Sequence, residues 1–470
     1  MLSRPTRLLS IAAAALVVGC SGGSEPTGPK GQNPPPGDAV ASVTMVSAPS
    51  ELEVNEGKAA SASAKSASGA VLAGRTITWS SSNEAIAVVT AAGIVNGVAP
   101  GSVTITATSE GKTATAQVKV NTRTAYIAEI LESIRASYDL PALAGGIVTR
   151  NGMFGKAAVG RRRASQTTPV TADDLWHIGS NLKAISAHVA AIAVTEGKIS
   201  WTTTLADAYP EYAGTMRAEY RNVTLRQLFG HTGGIIPNVP NNALAGSGTL
   251  TAQRATLAKW ATSLAPAAAV GNFNYSNVGY MIAANMVERA MGSSWENVMQ
   301  TKLLGPLGIT AFGWGPVPTN TTQNPVAHQR IGNAWVEYPN EDNPPFLSAA
   351  GRSHWSLDAY GKAVQEMMRA DQGLSATGAS QAAVRVTTTA QAGQQYGGGW
   401  FVGTPAWANG RGVDHDGSNN INYMRTQAAL DKGVAVFGVT NSHDPNSNRS
   451  NDAMVQLTQR LWAYYNAHSN

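Results

Sequence analysis

Ser180 and Lys183 stand three residues apart in His177-Ile178-Gly179-Ser180-Asn181-Leu182-Lys183. A serine hydroxyl is a poor nucleophile until a neighbouring base takes its proton. A lysine amine can be that base, and Ser-Lys pairs are one variant of the Ser-His-Asp solution. On a helix, positions i and i+3 share a face, with Cβ atoms about 5–6 Å apart. With Ser180 opening the helix, the positive helix end beside it favours developing negative charge. The chemistry is nucleophilic catalysis by an activated serine. A second serine signature is a decoy. Gly19-Cys20-Ser21-Gly22-Gly23 has the G-x-S-x-G form, but that elbow needs a strand before it and a helix after it. Here an apolar leader precedes it and a Pro/Gly stretch follows. The eight histidines show no H-E-x-x-H spacing, so no metal or other cofactor is expected.

The elements that must hold this pair follow from periodicity. A helix is expected from Ser180, with Leu182, Ile185, Val189, Ile192 and Val194 apolar and Gly197 as its stop. Residues 125–138 read as an amphipathic helix with Ile127, Ile130, Leu131 and Ile134 on one face. Strands 146–149 and 153–159 flank Asn151-Gly152, a two-residue hairpin turn. Further helices fit 226–229, 253–263, 278–291 and 359–369, and late strands fit 398–403, 421–429 and 433–439. Strands at both ends around a helical middle imply one sheet built from both ends and covered by helices.

The chain has 470 residues, which predicts two or three domains. Charged residues are 13% and the net charge is +5, or +3 without Arg4 and Arg7. Arg161-Arg162-Arg163 is the only basic run and reads as a solvated loop. A nucleic-acid surface needs a broader patch, so no nucleic-acid partner is expected. Residues 1–19 have a basic start and a short apolar core, the form of a secretory signal. Leu16-Val17-Val18-Gly19-Cys20 resembles a bacterial lipobox. That resemblance implies lipidation at Cys20, export, and membrane anchoring in the cell envelope, on a periplasmic or cell-surface face. Cys20 is the only cysteine, so no internal disulfide can form. Residues 20–38 are a Gly/Ser/Pro linker.

Residues 39–122 alternate apolar and polar side chains in short runs separated by turns, the pattern of an all-β sandwich. The stretch from Ile77-Thr78-Trp79 through Gly93-Ile94-Val95-Asn96-Gly97 to Gly101–Thr108 resembles the bacterial Ig-like group 2 module. The resemblance implies a spacer or adhesive role, with cell-wall or glycan contact, and places Trp79 in the core.

Three later segments join the serine pair: Val223–Gly234, containing His231-Thr232-Gly233-Gly234; Phe273-Asn274-Tyr275-Ser276-Asn277; and His415-Asp416-Gly417-Ser418. In that order, S-x-x-K, Y-x-N and H-x-G resemble the penicillin-recognising serine hydrolases: class C β-lactamases, D,D-peptidases and β-lactamase-like esterases. The resemblance covers residues 125–468 and implies an α/β (α+β) domain, an antiparallel sheet flanked by helices plus a mostly helical subdomain. It implies Ser180 as acyl-forming nucleophile, with Lys183 and Tyr275 sharing proton traffic. Asn277 would position substrate and bond Lys183. His415, Gly417 and Ser418 would lie on an edge strand, and the N–H groups of Ser180 and Ser418 would form the oxyanion hole. His231 is implied to support the fold.

Two departures bear on substrate. Family members that bind penicillin often carry Lys-Thr-Gly where this chain has His415-Asp416-Gly417, and a neutral histidine attracts a carboxylate less. Asp416 either points away from the cleft or favours an amine. Gly233 replaces the usual serine of the His-Thr turn. The expectation is an exported serine hydrolase acting on ester, amide or peptide substrates. The alternatives are β-lactamase, D,D-peptidase or D-aminopeptidase activity, or a non-catalytic cell-wall-binding surface protein.

Overall fold

The computed structural model describes residues 38–319 and 323–469. The leader, Cys20 and the linker lie outside them. Two compact units are present. The residues up to Ser50, Gly57–Asn96 and Val103–Val118 form one; Glu51–Glu56, Gly97–Ser102 and Lys119 onward form the other.

The first unit is built of short antiparallel pairings. Ser42–Ser47 pairs with Ser61–Lys65, Val43 opposite Ala64. Thr78–Ser81 pairs with Gly101–Ser109, Trp79 opposite Ala107. Val40, Val43, Ala64 and Ala107 form a small core, on which Met45, Leu72, Ile77 and Trp79 pack partly buried.

In the second unit, helix α1 (Arg123–Ser137) leads into the hairpin β1 (Ala142–Thr149) and β2 (Gly152–Gly160). Thr149 pairs with Gly152, so the two-residue loop is Arg150-Asn151, one position earlier than expected from Asn151-Gly152. Gly152 takes the positive φ of +135° that closes the hairpin. The short β3 (Leu175–His177) comes next, followed by α2 (Leu182–Thr195). The helical part contains α3 (Leu225–Phe229), α4 (Leu250–Ala261) and α5 (Asn277–Met291). Strand β4 (Ser353–Ser356) pairs with β3, and α6 (Leu357–Asp371) follows it. The chain ends with β5 (Phe401–Gly403), β6 (Gly412–Ser418), β7 (Tyr423–Ala429), β8 (Val434–Thr440) and α7 (Arg449–His468).

The six-stranded sheet has the order β2-β1-β8-β7-β6-β5 and is antiparallel throughout. Both ends of the domain supply its strands, as the periodicity implied. Side chains alternate across it. Leu143, Ile147, Val434 and Val436 face α1 and α7, meeting Ile127, Leu131, Met454, Leu457 and Leu461. Ala144, Val148, Phe437 and Val439 face α2 and α6 in the main core. Helix α7 is an addition to the sequence reading. It sits tightly on the sheet because Gly438 offers no side chain: a Cβ there would lie 2.3 Å from Leu457 Cδ2.

One expectation is corrected. β6 is not a simple edge strand, because β5 pairs with its first half, Phe401 opposite Asp414. That pairing ends at Asp414 and leaves the His415–Ser418 half open on that side.

Candidate active site

Ser180 does not open the helix itself. It sits in a 3-10 turn, Gly179–Asn181, and α2 begins at Leu182. In such a turn i and i+3 side chains nearly eclipse, and Lys183 Nζ reaches Ser180 Oγ at 3.0 Å. Gly179 holds φ at +51°, a left-handed conformation that costs glycine least. A Cβ on Gly179 would stand 2.5 Å from Ser418 N, and one on Gly417 would stand 2.2 Å from Ile178 O. The serine turn and the open half of β6 therefore approach backbone to backbone. That approach brings the amide of Ser418 to the nucleophile turn.

Lys183 is fully buried. Its Nζ meets three oxygens: Ser180 Oγ at 3.0 Å, Asn277 Oδ1 at 2.7 Å and Ala350 O at 2.7 Å. Burial pushes the amine well below its usual 10.5. A neutral amine has two N–H bonds and one lone pair. Asn277 Oδ1 and Ala350 O carry no proton and must accept the two N–H groups. In that neutral form the lone pair is left for the Ser180 hydroxyl, the arrangement a general base needs; as an ammonium the same Nζ donates to Ser180 Oγ instead.

Burial pushes the Tyr275 phenol well above 10, while its hydrogen bond with Ser180 acts the other way. Tyr275 is thus held as a proton donor. Its ring centre lies 4.9 Å from Lys183 Nζ and 4.2 Å from the His231 ring. His231 is buried at φ +59° and accepts from Ser276 N at 3.0 Å through Nδ1. It pins the loop that carries Tyr275, the supporting role implied for it. Asn277 opens α5 and donates its Nδ2 to Asn238 Oδ1 at 2.8 Å.

His415 points to the catalytic face of the sheet. It is buried, with Nε2 2.9 Å from Tyr396 Oη and Nδ1 2.6 Å from Asp416 O. Burial is the main cause that pushes it down, to about 3, so it is neutral at physiological pH. Asp416 alternates to the opposite face, where Arg425 holds it at 3.0 Å. Of the two placements open for Asp416, the geometry selects the one away from the cleft. Ser418 ends the strand, and its Oγ accepts from Asn420 N at 2.9 Å.

The structure adds residues that sequence reasoning did not nominate. Gly179 N donates to His177 Nδ1 at 3.1 Å, so the proton on Nε2 is directed at Asp342, 3.1 Å away. Asn419 Nδ2 donates to the same carboxylate at 3.2 Å. This buried network ties the turn before Ser180 to the end of β6. The Asn181 amide, oriented with Oδ1 towards Gly417 N at 3.1 Å, also donates to His415 O at 3.1 Å. Asn181 lies inside the S-x-x-K spacing, a signal too short to have marked it. The contribution of Ala350 is a backbone carbonyl, which leaves no signature in side-chain types. Among the described residues, no group of histidine, cysteine and carboxylate side chains is arranged to hold a metal.

A family model described as "Beta-lactamase" matches residues 127–460. A second, "Bacterial Ig-like domain (group 2)", matches residues 39–120. "Penicillin-binding protein 4" of Amycolatopsis lactamdurans is 25% identical over 181 residues, 38% of this chain and 46% of that protein. The chain thus spans about half the length of that relative. "Putative penicillin-binding protein PbpX" of Bacillus subtilis is 22% identical over 294 residues, 62% of this chain and 69% of its own length. Among solved structures, a class C beta lactamase from Rhodobacter sphaeroides superposes with a TM-score of 0.58 at 20% identity. The match covers 72% of this chain and 98% of that one. SurE with D-Leu gives a TM-score of 0.57 at 19% identity over 72% of this chain and 75% of its own. At these identities the solved structures speak to fold alone.

Proposed function

The chain belongs to the beta-lactamase family of serine hydrolases, and on that premise we propose that it is an exported, lipid-anchored hydrolase of uncharged esters, acting through a Ser180 acyl-enzyme. The observation that carries the proposal is the buried Lys183 Nζ 3.0 Å from Ser180 Oγ, with two oxygens that can only accept, Asn277 Oδ1 and Ala350 O, as its other partners; in its neutral form the amine has its lone pair free for the Ser180 proton.

Lys183 takes the Ser180 proton as Oγ attacks the acyl carbon. The N–H groups of Ser180 and Ser418 receive the developing oxyanion. Tyr275, held protonated, gives its proton to the leaving oxygen, and the Lys183 ammonium beside its ring offsets the transient phenolate. The ammonium then restores the phenol, leaving a neutral base for the water that cleaves the acyl-enzyme.

The choice of ester rests on charge. Where a Lys-Thr-Gly lysine would attract a substrate carboxylate, this chain has a neutral His415, and Asp416 is engaged by Arg425 on the other face. A D-amino-acid amide is the next substrate class in order and a β-lactam the third. Export and anchoring rest on the leader and Cys20, with the Ig-like module as spacer. Among the described residues no helix is long and apolar enough to cross a membrane.

Fluorophosphonate labelling of wild type and Ser180→Ala tests the nucleophile; equal labelling of the two would refute it. Turnover of a p-nitrophenyl ester, a D-amino-acid amide and a chromogenic cephalosporin side by side tests the substrate order. Metabolic labelling with a fatty-acid probe, in wild type and Cys20→Ser, tests the anchor.

A further inference from the structure

Only two of the seven phenylalanines are exposed, Phe273 at 39% and Phe401 at 40%. They come from segments far apart in the chain, the loop before Tyr275 and the short strand β5. Yet their ring centres lie 6.3 Å apart. Single exposed apolar side chains are ordinary, but two aromatic rings brought together from distant segments form a local apolar surface. The pair is continuous with the catalytic cluster. Phe273 packs 5.7 Å from Tyr396 and 5.8 Å from His231; Phe401 packs 5.0 Å from Tyr396 and 6.0 Å from His415. His415 in turn lies 6.2 Å from the Tyr275 ring.

We propose that Phe273 and Phe401 form the subsite for an apolar leaving group, an alkyl or arylalkyl alcohol portion of the ester. The proposal rests on the Ser180 acyl-enzyme reading and deepens it. Its direction comes from β6. Ser418, the oxyanion donor, ends that strand, whereas Phe401 pairs with Asp414, four residues earlier. At about 3.3 Å per residue, this separates the platform from the oxyanion donor by roughly 13 Å along the strand. Contacts run from Ser180 to Tyr275, from Tyr275 to His415 at 6.2 Å and from His415 to Phe401 at 6.0 Å. A carbonyl oxygen held at Ser418 N therefore sends the group on its Tyr275 side, the leaving alcohol, towards the two phenyl rings. A methyl group is too short to reach them, and a medium-length alkyl or arylalkyl group can cover both. The rings that touch the pair, Tyr396, His231 and His415, carry no carboxylate, and the acid beside it, Asp414 opposite Phe401 in the strand register, would repel a carboxylate occupant.

The test is a matrix of two ester series on the full chain. One keeps an acetyl group and lengthens the alcohol from methyl through hexyl to phenylpropyl; the other keeps a methyl alcohol and lengthens the acyl group. Wild type is expected to gain at least about 10-fold in kcat/KM along the alcohol series, the scale of burying a few methylenes. In Phe273→Ala and Phe401→Ala that gain should shrink several-fold, and in the double variant it should vanish. Both side chains are substantially exposed, so the variants should fold, and Phe401→Leu should retain part of the gain. A wild-type gain confined to the acyl series, or an alcohol-series gain untouched in the double variant, overturns the subsite. Wild-type labelling at Ser180 in the same preparations separates the two failures. A labelled enzyme without the alcohol gain sinks the subsite alone, and an unlabelled one sinks the acyl-enzyme reading.

Discussion

Lys183 Nζ lies 2.7 Å from Asn277 Oδ1, across 94 residues of chain. The amide oxygen accepts one N–H of the amine without offering it a negative charge. A carboxylate in the same place would stabilise the ammonium and remove the base. Asn277→Asp should therefore slow Ser180 labelling near pH 7 by about 10²-fold or more, with recovery as pH rises. Asn277→Ala should slow it less and leave the pH midpoint near the wild-type position. The pH dependence of the fluorophosphonate labelling rate distinguishes these outcomes.

Tyr275 is kept protonated by burial, so its task is to donate. The value of a proton donor depends on how poor the leaving group is. Tyr275→Phe should cost about 10²–10⁴-fold on an alkyl ester and much less on a p-nitrophenyl ester, whose phenolate leaves unaided. The ratio of kcat/KM on the two esters, wild type against variant, is the measurement. Equal losses on both would move Tyr275 from acid to positioning residue.

The approach of β6 to the serine turn depends on Gly417. A Cβ there meets Ile178 O at 2.2 Å and Asn181 N at 2.9 Å, both backbone atoms that cannot swing aside. Gly417→Ala should pry Ser418 N from the oxyanion position and cost about 10²–10³-fold in kcat. Gly214→Ala is the control, since nothing lies within 4 Å of a Cβ there. Kinetics with circular dichroism on both variants separates a displaced donor from an unfolded domain.

Parts of this site were legible in the chain because side-chain type and spacing carry them. The pair Ser180 and Lys183 can be read at i and i+3, and strand alternation placed His415 and Asp416 on opposite faces once the sheet was known. Other parts leave no such trace. Ala350 acts through a carbonyl, and Asn181 and His177 act through contacts between segments far apart in sequence. Helix α7 was legible but unread: Met454, Leu457 and Leu461 recur at helical spacing and bury against the sheet. The half-open state of β6 was not legible, because it depends on where the three-residue β5 stops pairing.

Arg254 is fully buried on α4 and donates to Glu288 Oε1 at 2.5 Å, Ser348 Oγ at 2.6 Å and Phe346 O at 3.2 Å, and also bonds Glu296. It thereby clamps the segment that delivers Ala350 O to Lys183. Arg254→Met leaves the buried carboxylate of Glu288 without its cation. The expected loss is about 3–5 kcal/mol in urea unfolding. Adding Glu288→Gln should recover part of it by removing the stranded charge. No recovery would mean that the clamp stabilises through packing rather than charge.

His415 gives the fold an acid-sensitive component whose sign can be worked out. Its folded value is about 3 against 6.5 for a free imidazole. Between those two values the unfolded chain binds a proton that the folded site refuses. Stability therefore falls as pH drops from about 6.5 towards 3. Asp416 works in the opposite sense: burial raises it from 3.8 to about 6, so its contribution to stability declines as pH climbs through that range. Burial also pushes His231 below 6.5, in the same sense as His415. The informative quantity is thus the difference between wild type and His415→Gln, in which Asp416 and His231 largely cancel. Thermal midpoints across pH 3–7 should show a shallower acid decline in His415→Gln, with the two proteins' slopes converging above pH 6.5. Parallel curves throughout would mean that the imidazole is protonated in the folded cleft. It could then offer a substrate carboxylate the positive charge that the ester reading denies it.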